Sequence, residues 1–278
     1  MRAMLGGSIT LGDLTVGRLG FGAMRITGQG VWGPPADEEQ AKALLRRVLE
    51  LGVTFVDTAW SYGPGVSEEL IAAALHPYPE GLVIGTKGGL VRPGPGSWDP
   101  DCRPETLRSN LEDSLRRLRL DRIDLYQLHT VDPGVPLEES VGVLFELQRA
   151  GKIRHVGLSN VDTGELERAR RLGTIVSVQN RYSVGDRASD DVVDACEQAG
   201  IAFLPWFPLA AGELTRPGGA LAAVAETHGV TPAQVALAWL LDRSPVTLPI
   251  PGTSSVAHLE ENVAVAALDL PAAELRAL

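Results

Sequence analysis

Residues 37–57 read DEEQAKALLRRVLELGVTFVD, and this stretch holds the unit from which the rest of the chain is built. Ala41, Leu44, Leu45, Val48 and Leu51 recur at three- and four-residue steps, so a helix over Asp37–Leu51 carries them on one stripe. Gly52 follows at once, the residue type that ends a helix in a left-handed conformation. Thr54–Asp57 is then a short run of bulky apolar residues closed by an acid. The order helix, glycine, strand recurs downstream, as in Ala199-Gly200-Ile201.

Working outward, eight strand segments are expected: Leu19–Met24, Thr54–Asp57, Leu82–Lys87, Ile123–His129, Ile153–Ser159, Ile175–Asn180, Ile201–Trp206 and Val246–Ile250. They are mostly continuous Val/Ile/Leu runs rather than apolar/polar alternations, as expected for strands buried on both faces. Helical patterns lie between them at Asp37–Leu51, Arg103–Leu118, Leu137–Ala150, Asp162–Arg171, Ser189–Ala199, Gly218–His228 and Pro232–Asp242, with Ser255–Ala267 after the last strand. Ser8–Val16, with Leu11-Gly12-Asp13 at its turn, reads as a hairpin ahead of the first barrel strand. This α/β alternation without a composition break predicts one parallel (β/α)8 barrel, the TIM-barrel architecture, as a single domain over residues 1–278. Pro232–Asp242 is one helix more than such a barrel needs before its last strand. An open doubly wound sheet is the rival, but it would want a third glycine after Gly20-Phe21-Gly22-Ala23-Met24-Arg25. Gly88–Pro100 is a long Gly/Pro-rich loop of the kind that usually serves a function.

Composition excludes several classes of function. A net charge of −10 in 278 residues, with no Lys/Arg cluster, argues against nucleic-acid partners. No apolar run reaches the roughly 18 residues of a membrane span, and Met1–Gly12 lacks the features of a signal peptide. Cys102 and Cys196 stand far apart, so neither a disulfide framework nor a metal site is expected, and a cytoplasmic location fits.

A barrel of this kind works at the carboxyl ends of its strands. The polar residues there are Asp57 after the second strand, Lys87 after the third and His129 after the fourth, with Tyr62 five residues beyond Asp57. Taken singly, Asp57 could cap a turn, Lys87 could be a solvated strand end, His129 could be structural and Tyr62-Gly63-Pro64 a plain turn. Together they make a proton donor. A tyrosine is a weak acid, a lysine cation beside it favours the phenolate, and a buried aspartate orients the lysine. The histidine can hydrogen-bond a substrate oxygen. Such a donor would protonate a carbonyl oxygen as hydride reaches its carbon, and the hydride must come from a cofactor. Ser254 and Ser255 precede a helix whose N–H groups could hold a phosphate, or simply cap it.

Asp57-Thr58-Ala59-Trp60-Ser61-Tyr62-Gly63, with Lys87 and His129, resembles the active-site tetrad of the aldo-keto reductase family, over essentially the whole chain. The resemblance implies a catalytic set of Asp57, Tyr62, Lys87 and His129 and the cofactor NADPH/NADP+. It implies that Ser159, Asn160 and Gln179 hold the nicotinamide carboxamide and that Trp206, within Trp206-Phe207-Pro208-Leu209, stacks on its ring. Gly22 and Met24 at the first strand end, and Ile250, Gly252, Thr253, Ser254, Ser255, His258, Glu261 and Asn262 toward the adenosine end, complete the expected cofactor set. The closer resemblance is to bacterial pyridoxal reductase-like members, carried by Leu19–Met24, Gly33-Pro34-Pro35 and Phe207-Pro208-Leu209; at His129 this chain follows the more usual reductases. Many members hold the adenosine 2′-phosphate with two cations where this chain has Gly252 and His258. Thr253, Ser254, Ser255 and the helix start remain, and no acid lies between Gly252 and Leu259, so NADPH over NADH is expected. Many members also carry a longer tail than the sixteen residues after Asn262, so the pocket is expected to be open there.

The substrate is expected to be a small carbonyl compound lined by Trp32, Trp60 and Trp98, each of which could equally be a loop anchor. Two other functions compete: a Schiff-base aldolase using Lys87, which leaves Tyr62, Gln179 and Trp206 idle, and a non-catalytic nicotinamide-nucleotide-sensing subunit.

Overall fold

The computed structural model describes residues 4–209 and 219–278; Gly218, the first residue of one expected helix, lies outside them. The chain opens with an antiparallel hairpin, β1 (Ser8–Leu11) and β2 (Leu14–Gly17), in register Leu11 to Leu14. Seven parallel strands follow: β3 (Phe21–Gly22), β4 (Phe55–Asp57), β5 (Val83–Gly88), β8 (Ile123–Leu128), β9 (Ile153–Ser159), β10 (Ile175–Gln179) and β11 (Ala202–Phe203). They lie side by side in that order. Two short strands, β6 (Leu90–Val91) and β7 (Asp99–Pro100), pair antiparallel inside the loop expected over Gly88–Pro100.

The expected eighth strand is present as a position but not as a regular ladder. Phe203 N–H donates to Val246 O at 2.8 Å and Leu248 N–H to Phe203 O at 2.8 Å, while on the other side Gly20 N–H donates to Pro249 O at 2.9 Å. Residues 246–251 therefore join β11 to β3 and close the (β/α)8 barrel. The ladder is thin because Pro249 and Pro251 have no N–H to give.

The helices are α1 (Glu38–Glu50), α2 (Val66–Leu75), α3 (Pro104–Leu118), α4 (Leu137–Arg149), α5 (Thr163–Arg170), α6 (Asp190–Ala199), α7 (Ala220–His228), α8 (Pro232–Arg243), α9 (Val256–Ala264) and α10 (Ala272–Arg276). Their starts are chemically specified. Asp37 accepts from Gln40 N–H at the head of α1, and capping boxes at Asp162 and Thr231 open α5 and α8. Helix α8 is the expected extra one. Helix α2 and the short α10 were not expected. In α2, six of ten residues are buried, including Glu68 and Ser67, so no polar stripe marks it as amphipathic. Among the described residues no helix is long and apolar enough to cross a membrane.

The core has two parts. Outward-facing strand residues such as Val56, Ile84, Tyr126 and Leu158 pack under the helices. Inside, Phe55, Val83, Leu125, Val176, Leu204 and Leu248 fill the barrel, and the hairpin residues Ile9, Leu11 and Val16 plug its base. This inner layer positions the site. Strand side chains alternate with period two, so Asp57 shares the inner face with Phe55, Lys87 with Val83, and Gln127 and His129 with Leu125.

Candidate active site

Above the apolar layer lies a polar one, almost dry. Lys87 is fully buried and Asp57 is 2% exposed. Lys87 Nζ donates to Asp57 Oδ1 at 2.9 Å, to Asp57 Oδ2 at 2.7 Å and to Thr58 O at 2.8 Å, so the ammonium is anchored to the carboxylate and to one backbone carbonyl. The solvated strand end considered from sequence is ruled out. Gln179 Nε2 donates to Asp57 Oδ1 at 2.9 Å and to Gln127 Oε1 at 3.1 Å, and Gln127 Nε2 to Ser177 Oγ at 3.2 Å. Burial works against both charges, pushing Asp57 up and Lys87 down, and each is opposed by the other's charge.

Tyr62 lies over this pair, its ring centroid 5.3 Å from Lys87 Nζ and 5.9 Å from the His129 ring. The net lowering of the Tyr62 pKa expected from the lysine is not found. Burial, and then the Asp57 carboxylate, push the phenol well above its ordinary value. The physical reason is that the Asp57 carboxylate, paired with Lys87, offsets part of the cation's field, so that burial outweighs the lowering Lys87 contributes. His129 is held well below its ordinary value, first by burial and then by the Lys87 cation, so its ring is neutral; its Nδ1 lies 3.3 Å from Ser61 Oγ.

A cavity of about 360 Å³ opens at these strand ends. Asp57, Tyr62 and His129 line it, with Lys87 behind Asp57. Of the expected cofactor set, Gly22, Met24, Ser159, Asn160, Gln179 and Trp206 line it, as do Phe207, Pro208, Leu209, Ile250 and Gly252. Ser159 Oγ donates to Gln179 O at 2.7 Å, Asn160 Nδ2 to His129 O at 3.0 Å, and Trp206 Nε1 to Asn160 Oδ1 at 2.9 Å. Asn160 takes a φ of 57°, an unusual conformation that fixes its amide between two strand ends. Gly22 and Gly252 show bare backbone to the cavity. A Cβ at Gly252 would stand 2.6 Å from Gly22 O, and one at Gly22 2.7 Å from Ile250 O.

Thr253, Ser254, Ser255, His258, Glu261 and Asn262 do not line this cavity. Ser255 is the N-cap of α9, its Oγ accepting from His258 N–H at 3.4 Å, while Thr253 Oγ1 accepts from Ser255 N–H at 3.0 Å. Glu261 is tied to α8, accepting from Thr231 Oγ1 at 2.5 Å. Of the three expected substrate tryptophans, Trp98 alone lines the cavity, edge-on to Tyr62 with centroids 6.4 Å apart. Trp60 is a loop anchor instead. Its Nε1 donates to Asp113 Oδ2 on α3 at 3.1 Å and Arg117 lies 5.5 Å over its ring. Trp32 stands one layer back, its backbone bridged to Gly63 and its ring 5.5 Å from Arg92. Arg25, Leu90, Thr130 and Pro251 line the cavity but were not singled out from sequence. Arg25, Thr130 and Pro251 each adjoin a residue that was, and Leu90 falls in the long loop expected over Gly88–Pro100; those positions are the signal that could have found them.

The aldo/keto reductase family model matches residues 18–278. An uncharacterized oxidoreductase of Schizosaccharomyces pombe is 50% identical over 95% of this chain and 86% of its own length. Pyridoxine 4-dehydrogenase of Escherichia coli is 45% identical over 96% of this chain and 95% of its own. Among solved structures, an aldo/keto reductase from Klebsiella pneumoniae in complex with NADP and acetate superposes with a TM-score of 0.81 at 28% identity, covering 97% of this chain and 93% of that one. The chain therefore belongs to the aldo/keto reductase family of oxidoreductases, which interconvert carbonyl compounds and alcohols.

Proposed function

We propose that this chain reduces an aldehyde or ketone to an alcohol with NADPH, with Tyr62 giving the proton to the carbonyl oxygen. The observation that carries this reading is a single buried phenol facing a cavity, a neutral imidazole beside it and a buried ion pair beneath it. Residues 1–278 act as one domain, since the hairpin packs into the base of the barrel that carries the site.

The residues present fit a nicotinamide cofactor. Gly22 and Gly252 offer backbone without side chains, and Gln179 Oε1 and Ser159 Oγ keep lone pairs for a carboxamide. The half-buried Trp206 offers a flat face, and Arg25, exposed at the rim, suits phosphate oxygens. The structural neighbour crystallised with NADP supports the same choice. No acidic residue between Gly252 and Leu259 would repel a 2′-phosphate, which favours NADPH over NADH. When bound, the nicotinamide would supply the hydride, which no side chain can.

The chain's own contribution is the proton and the dry setting. Burial keeps Tyr62 protonated, so it meets the substrate oxygen as a hydrogen-bond donor. As that oxygen gains alkoxide character it becomes a stronger base than a phenolate and takes the proton. The phenolate left behind lies beside the Lys87 cation, which offsets the new charge. His129, neutral, can share a hydrogen bond with the same oxygen. Lys87 as a Schiff-base lysine is less well supported, because its ammonium is paired with Asp57 behind the cavity wall and does not line the cavity.

Pyridoxal is the first substrate to try, on the likeness to the Escherichia coli pyridoxine 4-dehydrogenase. The decisive experiment is Tyr62→Phe, assayed by NADPH oxidation with pyridoxal and a panel of aldehydes. NADPH affinity should stay within about twofold while turnover falls at least about 100-fold, the size of a lost general acid. A phenylalanine variant with most of its turnover would refute the assignment. Tight NADPH binding without turnover in the parent chain would instead favour the nucleotide-sensing alternative.

A further inference from the structure

Arg92 lies just beyond β6 and is 6% exposed, yet it makes no ion pair among the described residues. Its partners are carbonyl oxygens from three different loops. Nε donates to Ser97 O at 2.5 Å, Nη1 to Val31 O at 2.9 Å and to Ser61 O at 3.4 Å, and Nη2 to Gly30 O at 3.3 Å. Those loops follow β3, β4 and β5, the three strands on the Tyr62 side of the barrel. Burial lowers the Arg92 pKa with no carboxylate to oppose it, as expected for a cation solvated only by carbonyl dipoles.

Three features show what this arrangement holds in place. The guanidinium carbon sits 3.6 Å from the centroid of the Trp98 ring, a close stack, and Trp98 lines the cavity edge-on to Tyr62. Val31 takes a φ of 57°, a conformation that a β-branched residue adopts only under constraint, and its carbonyl is one of those Arg92 binds. Ser61, whose carbonyl is another, directly precedes Tyr62 and places its hydroxyl beside His129.

We propose that Arg92 is the positioning residue of the substrate side: it fixes Trp98 as a flat wall beside Tyr62, and the pocket thereby selects carbonyl compounds carried on a flat ring. A flexible side chain at 98 would make no such selection, and a free indole would lose entropy on every encounter; the planar guanidinium removes that cost beforehand. Lysine cannot replace it, since an ammonium neither stacks flat nor reaches three loops at fixed angles. The selectivity part rests on the reductase reading above, whereas the clamp itself does not.

The test uses the full chain labelled with 5-fluorotryptophan, whose five tryptophans give separate fluorine resonances, with Trp98→Phe to assign one. Arg92→Met should shift or broaden the Trp98 resonance and leave those of Trp206 and Trp239 in place. In the same variant kcat/KM for benzaldehyde should fall about tenfold or more, with the value for butanal and the NADPH affinity changed less than about threefold. Arg92→Lys should show the same Trp98 shift and a smaller kinetic loss, and it serves as the readout if the methionine variant does not fold. A Trp98 resonance unmoved in either variant would overturn the clamp, and equal losses for both aldehydes would overturn the selectivity. If the parent chain reduced neither aldehyde the reductase reading would fail, yet the Trp98 resonance would still decide the role of Arg92.

Discussion

Replacing Lys87 by methionine keeps the volume of the side chain but strips a buried carboxylate of its cation. Asp57 is 2% exposed and would keep only the Gln179 Nε2 bond at 2.9 Å, while Thr58 O would lose its donor as well. Removing one member of a buried pair costs about 3–5 kcal/mol, because the charge that stays is no longer compensated. For a chain of this size each kcal/mol moves Tm by about 2 °C, so a fall of about 6–10 °C is expected. The pH dependence has a definite sign. Burial already pushes the Asp57 pKa up, and the two opposing influences of Lys87, its charge and its hydrogen bond, vanish in the variant. The folded pKa then lies above that of the unfolded chain, about 3.9. Stability from this group is full below the unfolded value and is lost as pH rises through the folded one. The deficit relative to the parent should therefore be largest near pH 8 and shrink toward pH 5. Adding Asp57→Asn should recover much of the loss at pH 8 by removing the charge itself. Thermal unfolding of parent, single and double variants between pH 5 and pH 8 measures all of this. A deficit constant across that range, or a double variant no better than the single, would refute the buried-charge reasoning.

Three further outcomes each rest on a single buried or partly buried group. Trp60→Phe loses the bond to Asp113 outside the cavity, so stability should fall by about 1 kcal/mol while kcat and KM for any aldehyde hold; a raised KM would return Trp60 to the substrate wall. Glu68 is fully buried between Thr86 Oγ1 at 2.7 Å and Arg117, so Glu68→Ala should cost about 3 kcal/mol in a denaturant titration, and a loss under about 1 kcal/mol would mean water replaces the carboxyl. His129 is held neutral by burial and by Lys87, so kcat/KM should show no limb near the free-histidine value of about 6.5; such a limb, absent from His129→Gln, would contradict it.

What the sequence made legible followed physical rules that act locally. Continuous apolar runs marked the strands, and the polar residues that closed them, Asp57, Lys87, His129, Ser159 and Gln179, proved to line or underlie one cavity. The period of two explains why this works: a polar residue at a strand end falls on the inner face together with the barrel filling beneath it. Where the signal was tertiary, sequence could not supply it. Helix α2 hides most of its surface and so shows no stripe. Trp60 and Trp98 are both loop tryptophans, and only the placing of Asp113 on α3 and of Arg92 past β6 sorts anchor from wall. Gln127 and Ser177 look like ordinary strand alternation until the barrel closes and brings them to Gln179.

The same distinction bears on the proton donor. From sequence, a lysine near a tyrosine implies a lowered phenol pKa, because only the sign of the charges is visible. In the barrel, burial is the larger influence and Asp57 offsets part of the lysine field, so Tyr62 is raised on balance although the cation still favours its phenolate. A phenol that ionised at rest would waste its proton and would offer the substrate oxygen a negative charge. A protonated phenol over a neutral pair offers a hydrogen bond at rest and gives up the proton only to a base as strong as an alkoxide. Under the proposed mechanism the Lys87 cation therefore matters after the proton has left, when the phenolate is the only unpaired charge in a dry site. Lys87→Met should accordingly slow turnover far more than it weakens binding of substrate or NADPH. A variant that lost affinity and turnover in equal measure would place the lysine in ground-state binding instead.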